Sequence, residues 1–248
     1  TDVAPLISLA ANKLNIHTVD IQHGPIVNHF AYSDFNTPEK GYNSLPRYFW
    51  CWDKTSYLNI QKWSVKTVHT ALLAFNPWLK FLSEKTLPNL DFFEKKEFNI
   101  LISLQPIDNI LDEFVIQCIR NTYKKYNWFI RLHPNQIKYK NEVLKWFEEE
   151  DLSDIVYIEK PSSFPLPYIL NVSSLHLTRF SGTFIEAIQT DTPTIFIDDR
   201  GKSSFDEYIK CGVFFANEWS VPDDDIYAIV SAEDLLSLVG NTEYATDE

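Results

Sequence analysis

Residues 174–198 read SLHLTRFSGTFIEAIQTDTPTIFID, and this stretch decides the fold. Residues 174–178 are apolar and β-branched enough for a buried strand. A tight turn, RFSGT at 179–183, leads into a short helix over 183–189. Pro193 then opens a second apolar run, TIFID. Strand, turn, helix and strand in this order form the repeating unit of a parallel sheet. Ser181, Gly182 and Thr183 stand at a helix start, where free N–H groups and the positive end of the helix dipole favour an anion. Arg179 adds a cation able to bind an anion through two N–H groups. Glu186, one helical turn after Thr183, has two readings. It either forms a capping box with Thr183 or turns its carboxylate to a sugar hydroxyl.

The same unit recurs on both sides. Downstream of a charged, Pro-containing stretch at 85–97, read as a linker, a strand over 98–104 ends in Gln105-Pro106. An amphipathic helix over 109–126 follows. The next strand, 128–132, ends in His133-Pro134-Asn135, and a helix is expected over 137–149. A strand at 155–158 and a short helix at 167–171 precede the opening stretch. After it come a helix at 205–210, a strand at 213–216 and helices at 223–230 and 232–239. Upstream, a helix over 4–14 feeds a strand over 17–22 that turns at His23-Gly24-Pro25. A long loop over 28–46 leads to a strand at 48–52. Asp53 then caps a helix over 54–63, and a strand at 66–72 and a helix at 78–84 complete the region. The expected class is α/β with parallel sheets in two Rossmann-like domains, at 1–90 and 91–248. The chain contains no Met and opens inside an αβ unit, so earlier strands of the first domain are expected ahead of Thr1.

Composition narrows the function classes. The 248 residues are 45% hydrophobic and 23% charged, which places the chain among folded globular proteins rather than disordered ones. A net charge of −12 excludes a nucleic-acid backbone as the expected partner. A small anion remains compatible, because local cations act at short range. Cys51, Cys118 and Cys211 fit neither a disulfide framework nor a metal spacing, which points to a reducing compartment. The pairs Asp198-Asp199 and Asp223-Asp225 lack a spaced third ligand, so no metal and no other cofactor is expected. No G-x-G-x-x-G follows any strand, which disfavours a dinucleotide oxidoreductase.

Three strand ends therefore carry candidate chemistry in the second domain: Gln105, His133-Pro134, and Arg179 to Thr183. In an open parallel sheet such ends face one crevice. His23, at a strand end of the first domain, is a candidate general base.

QHGP at 22–25, LPRYFWCWD at 45–53, NPW at 76–78, ILISLQ at 100–105, IRLHPN at 130–135 and LTRFSGTFIEA at 177–187 together resemble bacterial surface-polysaccharide glycosyltransferases of the GT-B fold. These are relatives of Kdo, sialic acid and polysialic acid transferases and of CDP-glycerol glycerophosphotransferases. The resemblance covers most of 16–198. It implies a GT-B enzyme, metal-independent and inverting, that moves a sugar from a CMP- or CDP-type donor to a growing glycan or glycolipid. It also implies a part in capsule or lipopolysaccharide synthesis; the expected location is the cytoplasm, and the aromatic content allows peripheral docking at the inner membrane face. The resemblance puts His23 at the position of the base, and Glu186, by its place one helical turn after Thr183, is the second catalytic candidate. For donor binding the resemblance matches His133 of the His-Pro134 motif, and Ser181 and Thr183 of the Ser-Ser/Thr phosphate motif, which Gly182 interrupts; Gln105, Arg179 and Gly182 join them as donor-binding candidates from their places at the strand ends. The family's acidic base motif is not visible. A CDP-polyol phosphotransferase and a non-catalytic nucleotide-sugar-binding domain are the competing readings.

Overall fold

The computed structural model describes residues 3–27, 32, 38–86, 88–106, 109–211 and 213–215. The expected helices at 223–230 and 232–239, and most of the 28–37 segment with His29, lie outside them. The chain divides into two compact units, Thr1–Lys85 and Thr86–Glu248.

The first unit holds helix α1 (Ala4–Lys13), strand β1 (Val19–Ile21), strand β2 (Tyr48–Cys51), helix α2 (Lys54–Ser64), strand β3 (Thr70–Leu73) and helix α3 (Pro77–Ser83). The strands pair in parallel in the order β1-β2-β3. Asp53 caps α2 by accepting the Ser56 N–H at 2.8 Å, and Asn76 caps α3 through the Trp78 N–H at 3.0 Å. Phe49, Cys51, Ile60 and Trp63 form the buried core between β2 and α2. The third strand begins at Thr70 rather than 66, because the chain still turns at 65–68 after leaving α2.

The second unit holds β4 (Phe98–Ser103), α4 (Glu113–Thr122), β5 (Tyr126–Arg131), a 3-10 helix (Pro134–Tyr139), α5 (Lys140–Glu149) and β6 (Val156–Tyr157). It continues with α6 (Glu159–Ser163), α7 (Leu166–Leu170), β7 (Leu175–Thr178), α8 (Phe184–Gln189), β8 (Thr194–Phe196), α9 (Asp199–Phe205), a second 3-10 helix (Asp206–Cys211) and β9 (Val213–Phe215). All six strands are parallel, in the order β6-β5-β4-β7-β8-β9. This is the doubly wound order, in which the direction of winding reverses between β4 and β7.

Both faces of this sheet are covered, so its strands read as continuous apolar runs. Ile100, Ile102, Trp128 and Ile130 point to the side packed by Val115 and Ile119 of α4 and Phe147 of α5. The alternate residues Leu101 and Phe129 point to the other side and meet Ile169, Leu170 and Ala187. Burying a side chain of this size contributes about 1.5–3 kcal/mol. Residues 88–97 depart from the expected linker: Phe92 and Phe93 pack on Phe129 with ring centroids 5.4 and 5.0 Å away.

Several boundaries shift for local reasons. The fourth helix begins at Glu113, not 109, because the Asp112 carboxylate is engaged elsewhere and offers α4 no side-chain cap. The expected helix at 137–149 is a 3-10 turn followed by α5, since His133 and Gln136 close a capping box ahead of Pro134–Tyr139. The helix expected at 205–210 is replaced by α9, started at Asp198 by its bond from the Arg200 N–H (2.8 Å), and a 3-10 turn.

One polar group sits in the centre of the sheet. His176 on β7 is fully buried, with Nδ1 at 3.0 Å from Thr194 Oγ1 and Nε2 at 2.9 Å from Ser103 Oγ. The ring thus links β4, β7 and β8. Burial lowers its pKa from 6.5 to about 3. The folded state therefore holds His176 neutral while the unfolded chain takes up a proton below about pH 6.5. Its contribution is complete above pH 6.5 and is lost as pH falls toward 3. Urea denaturation between pH 7.5 and 4.5 should show stability falling with acid. His176→Gln, which keeps a donor and an acceptor, should show a shallower loss. Equal slopes would contradict this role.

Candidate functional site

The reversal between β4 and β7 separates the loops that leave their carboxyl ends, and the candidate residues gather there. Gln105 follows β4 and accepts the Phe180 N–H on its Oε1 at 3.0 Å, which ties the end of β4 to the turn after β7. Its backbone carbonyl accepts from Gln136 Nε2 at 3.2 Å, which ties the same point to the turn after β5. Gln105 is thus a positioning residue for the rim.

His133 caps the 3-10 helix after β5. Its Nδ1 accepts the Asn135 N–H at 3.1 Å, and its own N–H donates to Gln136 Oε1 at 2.9 Å. Pro134 stands at the first helical position, where its missing N–H costs nothing. With Nδ1 accepting, the neutral imidazole carries its proton on Nε2. Partial burial lowers the His133 pKa, which favours that neutral form. Among the described residues Nε2–H has no protein acceptor, so it is a fixed donor open to a ligand.

The turn at 179–183 is built differently from the sequence expectation. Arg179 is 7% exposed, and its guanidinium faces inward. Its Nε donates to Asp112 Oδ2 at 3.2 Å, a terminal nitrogen lies 3.0 Å from Asp112 Oδ1, and the other donates to the Asn109 carbonyl. The cation read as an anion ligand clasps the loop before α4. In the helix start, the Thr183 N–H lies 3.4 Å from Ser181 Oγ, and the Phe184 and Ile185 N–H groups reach the Ser181 and Gly182 carbonyls at 3.5 and 3.1 Å. A tight turn therefore engages donors that the sequence leaves free. The Thr183-Glu186 capping box does not form, and Thr183 Oγ1 is buried without a hydrogen-bond partner among the described residues.

Glu186 instead lies in a largely buried setting. Burial raises its carboxyl pKa, and the Arg131 charge opposes that shift. Arg131, at the end of β5, donates to the Pro161 and Phe164 carbonyls at 2.5 and 2.6 Å. Among the described residues the Glu186 carboxylate accepts no hydrogen bond. The side chain is only half-buried, so this open acceptor can meet a hydroxyl-bearing ligand.

Arg200 escaped the sequence reading. Its guanidinium stacks 4.1 Å from the Phe180 ring and pairs with Asp198 at 2.6 Å while staying exposed. The signal lay in Asp198 as a helix cap, a residue weighed in the sequence only as a metal ligand. Gly201 explains the close approach: a Cβ there would stand 2.5 Å from the Arg179 carbonyl.

In the first unit, Gln22, His23 and Gly24 follow β1 as expected and line a cavity of about 160 Å3 with Asp20, Tyr32 and Trp50. His23 is exposed. Gln22 is buried and accepts the Trp52 N–H at 2.6 Å, while its amide nitrogen reaches the Gly24 carbonyl, Asp53 and Ser56. It holds the His23 turn against the end of β2. Burial pushes the Tyr32 hydroxyl up to about 12, and Asp20, which hydrogen-bonds it, adds to the rise. Among the described residues no group of three His, Cys, Asp or Glu side chains is arranged to hold a metal, and no helix is long and apolar enough to cross a membrane.

No protein-family model matches the chain, and no curated protein matches it by sequence. Solved structures do. UDP-GlcNAc 2-epimerase from Neisseria meningitidis, solved with UDP-GlcNAc, superposes with a TM-score of 0.59 at 18% identity, over 98% of this chain and 67% of that one. MnaA of Staphylococcus aureus, solved with UDP, gives 0.57 at 14% identity, over 92% and 63%. HepE of Anabaena, solved with UDP and glucose, gives 0.51 at 12% identity, over 99% and 70%. The chain thus spans about two thirds of the length of these proteins. At this identity the likeness establishes the fold: α/β of the GT-B type, with parallel Rossmann-like sheets.

Two substitutions separate structure from site. Arg179→Ala should destabilise by about 2–3 kcal/mol, less than a fully buried pair because Asp112 is 32% exposed. Glu186→Gln should leave the melting temperature unchanged or raised, since burial already disfavours the ionised carboxylate. Differential scanning calorimetry checks both, and a large loss for Glu186→Gln would mark it as a structural residue.

Proposed function

We propose that this chain is a nucleotide-sugar-dependent enzyme that transfers a glycosyl group to a hydroxyl acceptor on a surface glycan. The observation that carries the proposal is a set of polar groups around the β4/β7 reversal that make no hydrogen bond among the described residues: His133 Nε2–H, the buried Thr183 hydroxyl and the half-buried Glu186 carboxylate. A nucleotide sugar offers the complementary groups, a diphosphate or phosphate to accept hydrogen bonds and ribose hydroxyls to donate them.

In this reading residues 91–248 bind the donor and residues 1–90 serve the acceptor. His133 donates to a donor phosphate oxygen, with Ser181 and Thr183 beside it. Glu186 accepts from a ribose or sugar hydroxyl, a binding role rather than proton transfer. Gln105, Pro134 and Gly182 shape the rim, and Arg179 acts through the position of its turn. As the glycosidic bond breaks, negative charge grows on the leaving phosphate, and preorganised donors lower that barrier. His23, exposed beside the cavity of the first unit, is assigned the acceptor proton, with inversion at the sugar carbon as the outcome. The side chains described carry these steps without invoking a metal.

The sequence resemblance favours CMP or CDP as the nucleotide, whereas the superposed structures were solved with UDP or a UDP sugar. The UDP-GlcNAc 2-epimerase among them supports a second reading, epimerisation of the sugar on its nucleotide, which needs no acceptor.

Thermal-shift measurements with UDP, CMP, CDP, GDP and ADP test the shared requirement. A nucleotide at a hundredfold excess over its Kd should stabilise the chain by about 2.7 kcal/mol. His133→Ala should weaken that binding by about 10- to 100-fold, the worth of a hydrogen bond to a charged group, with little change in the melting temperature of the free protein. Equal losses of folding and binding would contradict the site. Release of free nucleotide only with an acceptor present identifies transfer; a changed sugar on an intact nucleotide identifies epimerisation.

A further inference from the structure

The first unit carries a second cavity at the opposite end of its strands. It also measures about 160 Å3, and its lining includes His17, Lys40, Asn43, Arg47 and His69. The strands enter the sheet here, at Thr18, Arg47 and Thr70, so this is the amino-terminal pole of the sheet and distinct from the His23 turn at the carboxyl ends.

The cavity is held by contacts from four segments. Asn12 of α1 donates to the Asn43 and Leu45 carbonyls at 2.8 and 3.1 Å. Thr18 Oγ1 accepts the Arg47 N–H at 3.0 Å. His69, 4% exposed, lies with Nδ1 2.8 Å from the Pro46 carbonyl and accepts the Tyr42 N–H on Nε2 at 3.0 Å. Gly41 has a φ of +65° and lies so close to the His69 ring that any side chain there would collide with it. Asn15, also in the lining, has a φ of +58°. These bonds fix the wall while the charged side chains stay open. Among the described residues, Lys40 and Arg47 have no hydrogen-bond or ion-pair partner for their side chains.

The charge pattern is unusual for this chain. A protein of net charge −12 here lines a cavity with two cations, two imidazoles and the amides of Asn12, Asn15 and Asn43, and with no carboxylate among the described residues. Asn12 and His69 are spent on the wall, so what the lining offers a ligand is the positive charge of Lys40 and Arg47, with no repelling anion among the described residues. An ammonium, as at Lys40, and a planar guanidinium fork, as at Arg47, are both groups that bind phosphate oxygens.

We infer that this cavity is a binding site for a phosphate group, separate from the nucleotide site proposed above. The phosphate is presented either by a small soluble phosphomonoester or by the headgroup of an anionic lipid. Leu14, Ile16, Val65 and Val68, all exposed in the same unit, are apolar surface that a headgroup ligand would bring to the bilayer boundary.

Isothermal titration of the full chain with inorganic phosphate and with glycerol 3-phosphate tests the soluble source. Flotation with vesicles containing phosphatidylglycerol, against vesicles of phosphatidylcholine alone, tests the lipid source. The proposal expects binding in at least one arm, lowered at least tenfold by Lys40→Ser with Arg47→Ser, and lowered less by His133→Ala. Both substituted side chains are exposed, and circular dichroism confirms that the double variant remains folded. Phosphate binding alone assigns a soluble ligand, and selective flotation alone assigns a lipid. No binding in either arm, or binding indifferent to Lys40 and Arg47, overturns the inference.

Discussion

The parallel pairing of β4 with β7 is the constraint on which the second unit depends. Ile100 to Ser103 lie beside Leu175 to Thr178, and from this line the chain winds outward in both directions. The loops after these strands must therefore part, and a crevice opens at the carboxyl edge of the sheet. Continuous burial of β4 and β5 on both faces fixes that edge, and His176 with its two hydroxyl partners fixes the register across three strands. The side chains at the rim then need only short tethers. Gln105 supplies two of them, one to the turn after β7 and one to the turn after β5.

Much of this was legible in the sequence, because buried parallel strands announce themselves as apolar runs ended by Pro, Gly or polar residues. The runs at 98–104, 128–132 and 174–178, with Gln105 and His133 at two of their ends, are cases of that rule. Side-chain allegiance was not legible. Arg179 has the residue type and place of an anion ligand, yet Asp112, 67 residues away in sequence, claims its guanidinium. Thr183 and Glu186 have the spacing of a capping box, yet Thr183 is already helical in its backbone and a tight turn precedes it. Pairings of this kind depend on what a loop on another strand brings near. Periodicity records nothing of that.

The electrostatics follow a common pattern. The chain is acidic as a whole, so each cation at an open position stands out. Arg131 and Arg179 are drawn inward and serve carbonyls and Asp112, whereas Arg200 stays at the surface against Phe180. What the crevice leaves for a ligand is mostly neutral: an imidazole N–H, a hydroxyl and one half-buried carboxylate. A site of this kind favours a ligand with both acceptors and hydroxyl donors over a simple anion. The cavity at the amino-terminal pole of the first unit has the opposite character, with two cations unpaired among the described residues.

The account's central claim is that the edge of the sheet at β4 and β7 seats a nucleotide. A crystal structure of the chain with the nucleotide that stabilises it most tests this directly. The account predicts phosphate oxygens within hydrogen-bond distance of His133 Nε2 and a ribose or sugar hydroxyl on the Glu186 carboxylate. A nucleotide bound elsewhere on the chain, with His133 and Glu186 untouched, would contradict it.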